Sequence, residues 1–140
     1  MSMAVDLTSE PFLFVKLGKP MADVDRALPR DRYGYDPSYS EEELRNSARA
    51  WWALDPRRAA TCRFLVATDA VEIVGVWEIE PGSWRNGDGR RFGKTPIRWA
   101  CSVRSAPDEV HRAMVHRPIP SRSNGRPMFG SGSVIAYLNA

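Results

Sequence analysis

The chain has 140 residues and a formal net charge of +3, and its hydrophobic (43%) and charged (26%) fractions exclude general disorder. This length predicts one domain over residues 1–140, large enough to bury its own core. No apolar run approaches the roughly 18 residues that a membrane span needs. The N-terminus also lacks the pattern of a signal peptide. We therefore expect no membrane partner and a cytoplasmic location, where Cys62 and Cys101, which lack CxxC spacing, stay reduced.

The charges are segregated along the chain. Residues 1–80 carry 10 basic and 14 acidic side chains, a balance of −4, whereas residues 81–140 carry 10 basic and 3 acidic ones, a balance of +7. Seventeen of the 20 basic residues are arginine, whose guanidinium group suits bidentate contacts with phosphates and base edges. This pattern predicts an anionic partner, with nucleic acid the leading class.

The first half of the chain predicts a strand followed by a helix. Residues 11–17 (PFLFVKL) form a short apolar run, typical of a strand buried on both faces. Residues 23–39 favour turns and carry three tyrosines. Ser40 and Glu43 match a capping box at the start of a helix. Trp51 continues the apolar stripe of this helix at helical spacing, with Trp52 beside it.

The middle of the chain predicts a short helix and a β-hairpin. Residues 55–60 fit a helix with Asp55 as the cap and Pro56 at its first position. Residues 62–68 and 71–80 fit strands joined by a tight turn at residues 69–70. In the second strand, strict alternation places four apolar side chains on one face: Val71, Ile73, Trp77 and Ile79. Gly75 in mid-strand indicates a bulge, a bend or the close approach of another group.

The last third predicts two more strands and a helix. Residues 97–103 and 134–138 fit strands, and residues 105–115 fit a helix with Ser105 as its cap. Only one strand–helix–strand connection, over residues 12–68, is long enough for a βαβ crossover. These patterns favour an α+β protein with a curved or barrel-like sheet over a doubly wound parallel sheet.

Signatures of catalysis, metals and cofactors are absent from the sequence. It contains no Walker loop, no GxGxxG and no GxSxG. His111 and His116 are five residues apart, off the spacing that places two ligands on one helical face. We therefore expect no metal and no cofactor. An acid–base role remains open for Glu78 or Glu80, if Trp77 beside them raises a carboxyl pKa.

The aromatic residues provide the leading candidates for a binding site. Four of the five tryptophans fall between Trp51 and Trp84, close to several arginines. Such a cluster can be core, or it can be a slot for a flat guest held by stacking and cation–π contacts. Trp84 lies in a polar, glycine-rich loop, a common position for a ring that lines a pocket. The candidate residues for binding a nucleic acid or a base are Trp51, Trp52, Trp84, Tyr33, Tyr35, Arg57, Arg58, Arg85, Arg90, Arg91 and Arg98.

The central block of the chain resembles a PUA-like module, the superfamily that includes the EVE, YTH, ASCH and SRA domains. The resemblance covers about residues 39–103 and depends on YSEEEL, AWW, RRA, the strand VGVWEI and the later Trp84. It implies a small, bent, mixed β-barrel flanked by short helices. It also implies binding of RNA or DNA rather than catalysis, in several members with a modified base held in an aromatic pocket. By position, Trp84 and the helix end at Trp51 and Trp52 would face that pocket.

Three functions remain open from the sequence. The first is a nucleic-acid or modified-nucleobase binding module with an aromatic pocket edged by arginines. The second is a module that binds another protein, since exposed tryptophan and arginine are also typical of protein interfaces. The third is a small hydrolase acting on an anionic, nucleotide-like substrate.

Overall fold

A computed structural model of the chain describes residues 9–22, 32–87, 97–122 and 124–140. The protein is α+β, as the sequence predicts. The helices are α1 (Glu41–Ala48), α2 (Pro56–Ala59) and α3 (Asp108–Met114). The strands are β1 (Phe12–Lys16), β2 (Met21–Ala22), β3 (Arg32–Tyr33), β4 (Phe64–Thr68), β5 (Ile73–Ile79), β6 (Arg85–Asn86), β7 (Trp99–Ala100), β8 (Val103–Ser105) and β9 (Ile135–Leu138).

The main sheet has five strands in the order β8-β5-β4-β1-β9. β1 and β4 run parallel, and the other neighbouring pairs are antiparallel. The parallel pair requires a crossover, and α1 and α2 lie in the connection between residues 12 and 68, which the sequence showed to be long enough for one. Two further pairs, β2 with β3 and β6 with β7, form separate short antiparallel sheets. Over the described residues, β8 and β9 remain the two edges of an open sheet.

Apolar residues cover both faces of this sheet. One face packs beneath α1 and α2, with Leu13 and Leu65 fully buried at its centre. The other face packs beneath α3 and the segment that precedes β9, with Phe14 and Val66 at its centre. β1 and β4 are therefore buried on both sides, which explains their nearly continuous apolar sequences.

Two of the three predicted helix starts are confirmed. The Ser40 hydroxyl accepts from the Glu43 N–H, and the Glu43 carboxylate accepts from the Ser40 N–H, which completes the capping box. The Asp55 carboxylate accepts from the Arg57 N–H at the start of α2. The prediction that Ser105 caps α3 is wrong, because the Ser105 backbone pairs with Trp77 in the sheet and the helix begins at Asp108, after Pro107.

The predicted hairpin is confirmed, with a longer turn. The Asp69 N–H donates to the Glu72 carbonyl (3.0 Å), so the connection between β4 and β5 occupies four residues rather than two. The register then shifts: Ala67 pairs with Gly75, whereas Thr68 pairs with Ile73. Val74 is the extra residue of a β-bulge, one of the outcomes expected at Gly75.

The bulge corrects the predicted faces of β5. Strict alternation puts Ile73 on the same face as Trp77 and Ile79, with Val74 opposite. In the structure Val74 packs with Trp77 and Ile79 beneath the α1 face, and Ile73 packs on the α3 face. One inserted residue inverts the side-chain alternation on its N-terminal side.

The single strand predicted for residues 97–103 is also wrong. The chain forms β7, which pairs with β6, and then β8, which pairs with β5 in the main sheet. Between them, Ser102 exchanges hydrogen bonds with the Ser83 hydroxyl. The segment therefore leaves one sheet and enters another.

The described helices are short. None of them has both the length and the apolar run that a bilayer crossing requires.

Candidate functional site

A cavity of about 380 Å³ lies at the carboxyl end of β1. We call it the aromatic cavity, because three aromatic rings line it together with one lysine and one arginine: Tyr33, Trp51, Trp52, Lys16 and Arg98. Its volume lies within the range of small-molecule sites in proteins, toward the lower end. Four of the candidate residues named from the sequence therefore meet at one place: Tyr33, Trp51, Trp52 and Arg98.

Both tryptophans reach the cavity from outside the helix that was predicted to carry them. α1 ends at Ala48, and Arg49 is its C-cap. The Arg49 carbonyl accepts from the Cys101 N–H, and its guanidinium donates to the Cys101 carbonyl. Pairing with a segment about 50 residues away thus competes with continuation of the helix. The prediction that Trp51 continues the helical stripe, with Trp52 beside it, is wrong.

Trp52 is fixed by both its backbone and its ring. Its backbone exchanges two hydrogen bonds with Trp99 (3.0 and 2.8 Å). Its indole N–H donates to the Ala48 carbonyl (2.7 Å), where the end of α1 leaves a carbonyl free to accept. Because the polar atom of the ring is used within the protein, Trp52 offers a ligand its apolar surface only.

Trp51 and Arg98 both lie next to the short β6–β7 sheet. Arg98 directly precedes β7, and its carbonyl accepts from the Gly87 N–H (2.8 Å) at the end of β6. Trp51 packs against Ala50 and against Ala100 of this sheet. Both Trp51 and Arg98 are partly buried, so each is supported by the protein and still reaches the cavity surface.

The turn that follows Tyr33 requires glycine. Gly34 has φ +90°, a conformation that side-chain-bearing residues rarely adopt. A Cβ atom at Gly34 would also collide with the Lys19 carbonyl oxygen. The Tyr39 hydroxyl donates to the Tyr33 carbonyl (3.2 Å), which ties this wall to the segment before α1.

Two basic residues, Lys16 and Arg98, are among those that line the aromatic cavity, and none of its described lining residues is acidic. The Lys16 ammonium lies 6.0 Å from the centroid of the Phe129 ring, at the edge of this site. Aromatic rings accommodate a flat unsaturated guest, and the two cations attract negative charge. The arrangement therefore suits a ligand that combines a planar ring with an anionic group.

The other sequence candidates lie elsewhere. Tyr35 packs on the core beneath α1, where burial raises the pKa of its hydroxyl. Arg57 and Arg58 are exposed on α2, and the Arg58 guanidinium lies over the Tyr137 ring (4.3 Å to its centroid). Arg85 is exposed on β6. Two candidates, Arg90 and Arg91, lie outside the described residues.

Trp84 lines a different cavity. This second cavity has a volume of about 270 Å³ and is also lined by Cys62, Arg63, Glu78 and Arg104. Trp84 packs there against the core beneath α1. The expectation that Trp84 shares one pocket with Trp51 and Trp52 does not match this placement.

The contacts of Glu78 do not favour the acid–base role considered for it. Burial favours its protonated form, but hydrogen bonds from Arg63 (2.8 Å) and Arg104 (3.1 Å) outweigh burial and hold the pKa below the ordinary 4.5. A carboxylate held between two guanidinium groups stays ionised near neutral pH. The structure therefore gives Glu78 a stabilising ion pair instead of the raised pKa that a general acid needs.

We expect Glu78→Gln to destabilise the protein by about 1 kcal/mol at neutral pH, a value reduced because both arginines are well exposed. A depressed folded-state pKa contributes stability above the ordinary pKa and loses it as pH falls through the folded value. The difference between wild type and Glu78→Gln should therefore shrink as pH falls below about 4.5. Urea unfolding across pH measures this.

Glu80→Gln is the matched control, because Glu80 is exposed and forms no ion pair with any described residue. It should change stability by less than about 0.5 kcal/mol. A Glu78→Gln difference that stays constant from neutral to acidic pH would contradict the ion-pair assignment.

The sequence did not single out Lys16, Gly34 or Val134, which also line the cavity. Lys16 was assigned to a strand and Val134 to the start of another. Position at a strand end is the only sequence signal that marks them, since the ends of β1 and β9 meet where the chain passes into loops.

Among the described residues, no group of three or more histidine, cysteine or acidic side chains is placed to hold a metal ion. Cys62 and Cys101 are free and buried, and burial raises their thiol pKa values to about 11 and about 12.

The chain matches no protein-family model, no curated protein and no solved structure in comparisons of all three kinds.

Proposed function

We propose that this protein binds nucleic acid and holds one nucleobase in the aromatic cavity. The observation that carries the proposal is the meeting of three aromatic rings and two cations, with no acidic side chain among the described lining residues. Base stacking on an aromatic side chain contributes about 1–3 kcal/mol per base and tolerates every base. The cations supply the electrostatic part of binding to the backbone phosphates.

In this proposal the lining residues divide the contacts with a bound nucleotide. Trp51, Trp52 and Tyr33 contact the face or the edge of the base. Arg98 contacts phosphate oxygens through its guanidinium, a group suited to bidentate contacts, and Lys16 adds positive charge nearby. The basic balance of residues 81–140 extends the attraction beyond the cavity.

A PUA-like fold is part of the same proposal. Its support is the mixed five-stranded sheet, the short helices on its two faces and the separate β6–β7 layer beside it. To close this sheet into a barrel, the edge strands β8 and β9 would have to be joined, either directly or through the short β2–β3 and β6–β7 sheets. Such pairing is not among those of the described residues. The proposal also places the protein in the cytoplasm, where its two buried thiols stay reduced.

The test is a titration of short single-stranded DNA and RNA and of matched duplexes, followed by fluorescence anisotropy at about 50 and about 200 mM salt. We expect binding of single strands that weakens as salt rises. Arg98→Gln should lower affinity for all sequences alike and reduce the salt slope by about 0.7, the value for one lost phosphate contact on a single strand.

The control variant for this titration is Arg57→Gln, whose side chain is exposed on α2, away from the cavity. It should leave both the affinity and the salt slope unchanged. Absence of binding at the lower salt concentration would rule out the proposal.

A protein partner is the second candidate. Val134, which lines the cavity, has an exposed fraction of 45%, and Ile97, next to Arg98, has one of 55%. Exposed apolar groups beside aromatic and arginine residues are typical of protein interfaces. Co-purification of a stoichiometric protein without nucleic acid, together with no binding of oligonucleotides, would favour this candidate.

A further inference from the structure

Gly87 lies directly against the ring of Trp51. A Cβ atom at residue 87 would lie 3.2 Å from Cζ3, 3.3 Å from Cε3 and 3.6 Å from Cη2 of that ring. The φ of Gly87 lies outside the left-handed region, so its backbone conformation is open to other residues. The close approach of the Trp51 ring, rather than the backbone conformation, is what favours glycine here.

The three distances describe a contact with the face of the ring. An approach in the plane of the ring would leave the two flanking carbons much farther away than the nearest one, whereas these three differ by only a few tenths of an ångström. The backbone at Gly87 is held in place by its N–H bond to the Arg98 carbonyl (2.8 Å). One face of Trp51 is therefore covered by hydrogen-bonded backbone.

Trp51 lines the aromatic cavity, and Gly87 is not among the residues that line it. Trp51 is thus bordered by the aromatic cavity and, over one ring face, by Gly87. Stacking energy depends on a ring that is already held in position, because an unheld ring loses rotamer entropy when a ligand binds.

We infer that Gly87 is a positioning residue: it seats Trp51 as a one-sided stacking platform that selects a planar, unsaturated base. This inference rests on the proposed function. A larger side chain at residue 87 pushes the ring out of its seat without removing any charged group from the cavity. Selectivity for planar bases is then lost, while the phosphate contact of Arg98 remains.

The test compares oligouridine with the same oligomer built from 5,6-dihydrouridine, whose saturated ring is puckered and lacks a continuous π face. The wild-type protein should bind oligouridine roughly tenfold more tightly, within the range expected for stacking. Gly87→Val should bring this ratio close to one and leave the salt slope of binding unchanged. Gly87→Ala, which demands a smaller shift of the ring, should give an intermediate ratio.

Gly130→Val is the matched control, because a Cβ atom there meets nothing within 4 Å and its φ is also outside the left-handed region. It should keep the wild-type ratio. If Gly87→Val does not fold, Gly87→Ala carries the comparison.

The outcomes separate the two ideas. A Gly87 variant that folds and keeps the full preference for oligouridine would overturn the role of Gly87 and leave the proposed function standing. A wild-type protein that binds neither oligomer would overturn the proposed function and this inference with it.

Discussion

Replacement of Trp51 by alanine is expected to weaken the binding of single-stranded oligonucleotides by about 1–3 kcal/mol, or roughly 5- to 150-fold. One face of the Trp51 ring is supported by Gly87. Among the described core clusters, Trp51 packs only on the small cluster of Ala50 and Ala100. Its truncation removes stacking area and leaves the backbone pairing of the neighbouring Trp52 in place. Fluorescence anisotropy with wild type and variant measures the loss.

Two further features make this result specific. Trp51→Phe keeps a smaller ring and should lose less affinity than Trp51→Ala. Neither variant removes a charge, so the dependence of affinity on salt should keep the wild-type slope, in contrast to Arg98→Gln. Arg57→Gln again serves as the variant that changes nothing. Equal affinities of wild type and Trp51→Ala would show that bases do not stack on this ring.

Gly75→Ala is expected to destabilise the protein by about 1–3 kcal/mol, the typical cost of overpacking a core. A Cβ atom at residue 75 would collide with Trp77 Cη2 and lie 3.0 Å from both Cζ2 and Cζ3. The Trp77 ring cannot simply move aside, because only 4% of its surface is exposed and its indole N–H donates to the Glu41 carboxylate (2.9 Å). Urea unfolding measures the change in the free energy of unfolding.

The same substitution at a glycine with open space around it should change stability in the opposite direction, which provides a control. Where space and backbone permit, Gly→Ala stabilises by about 0.4–1 kcal/mol because it restricts the unfolded chain. Gly130→Ala meets open space and should show that small gain. Combining Gly75→Ala with Trp77→Phe should give a loss smaller than the sum of the two single losses, because the shorter ring removes the collision. Strict additivity would contradict the contact.

Elements with strong local signals were predictable from the sequence. The capping box at Ser40, the Asp55–Pro56 start of α2 and the apolar run of β1 act over a few residues, and each forms as predicted. The length of chain between β1 and β4 also showed that a crossover was possible there, but not that the two strands would pair in parallel.

What the sequence did not reveal depends on contacts between distant segments. α1 ends at Ala48 because Arg49 and Trp52 pair with residues near Trp99, a choice that local propensity cannot register. A bulge at Gly75 was only one of three expected outcomes. Which residue bulges, and therefore which side chains of β5 change face, is determined by its pairing with β4. The division of residues 97–103 between two sheets has the same origin.

The sequence predicted the types of residue that form the candidate site, but only some of the residues themselves. Residue type pointed to aromatic rings and arginines, and the structure joins Tyr33, Trp51, Trp52 and Arg98. Residue type alone could not show that Trp84 lines a different cavity from Trp52, because both rings pack on the same core. Lys16 carried no signal, because a lysine at the end of a strand is common on any surface.

The central claim, that a base occupies the aromatic cavity, is tested most directly by photocrosslinking to an oligonucleotide that carries 5-iodouridine, followed by tryptic digestion and mass spectrometry. Cleavage at arginine separates the rings: residues 33–45 contain Tyr33, residues 50–57 contain Trp51 and Trp52, and residues 64–85 contain Trp84. The account predicts crosslinks in residues 50–57 or 33–45. Crosslinks confined to residues 64–85 or to other peptides, from an oligonucleotide that binds, would contradict it.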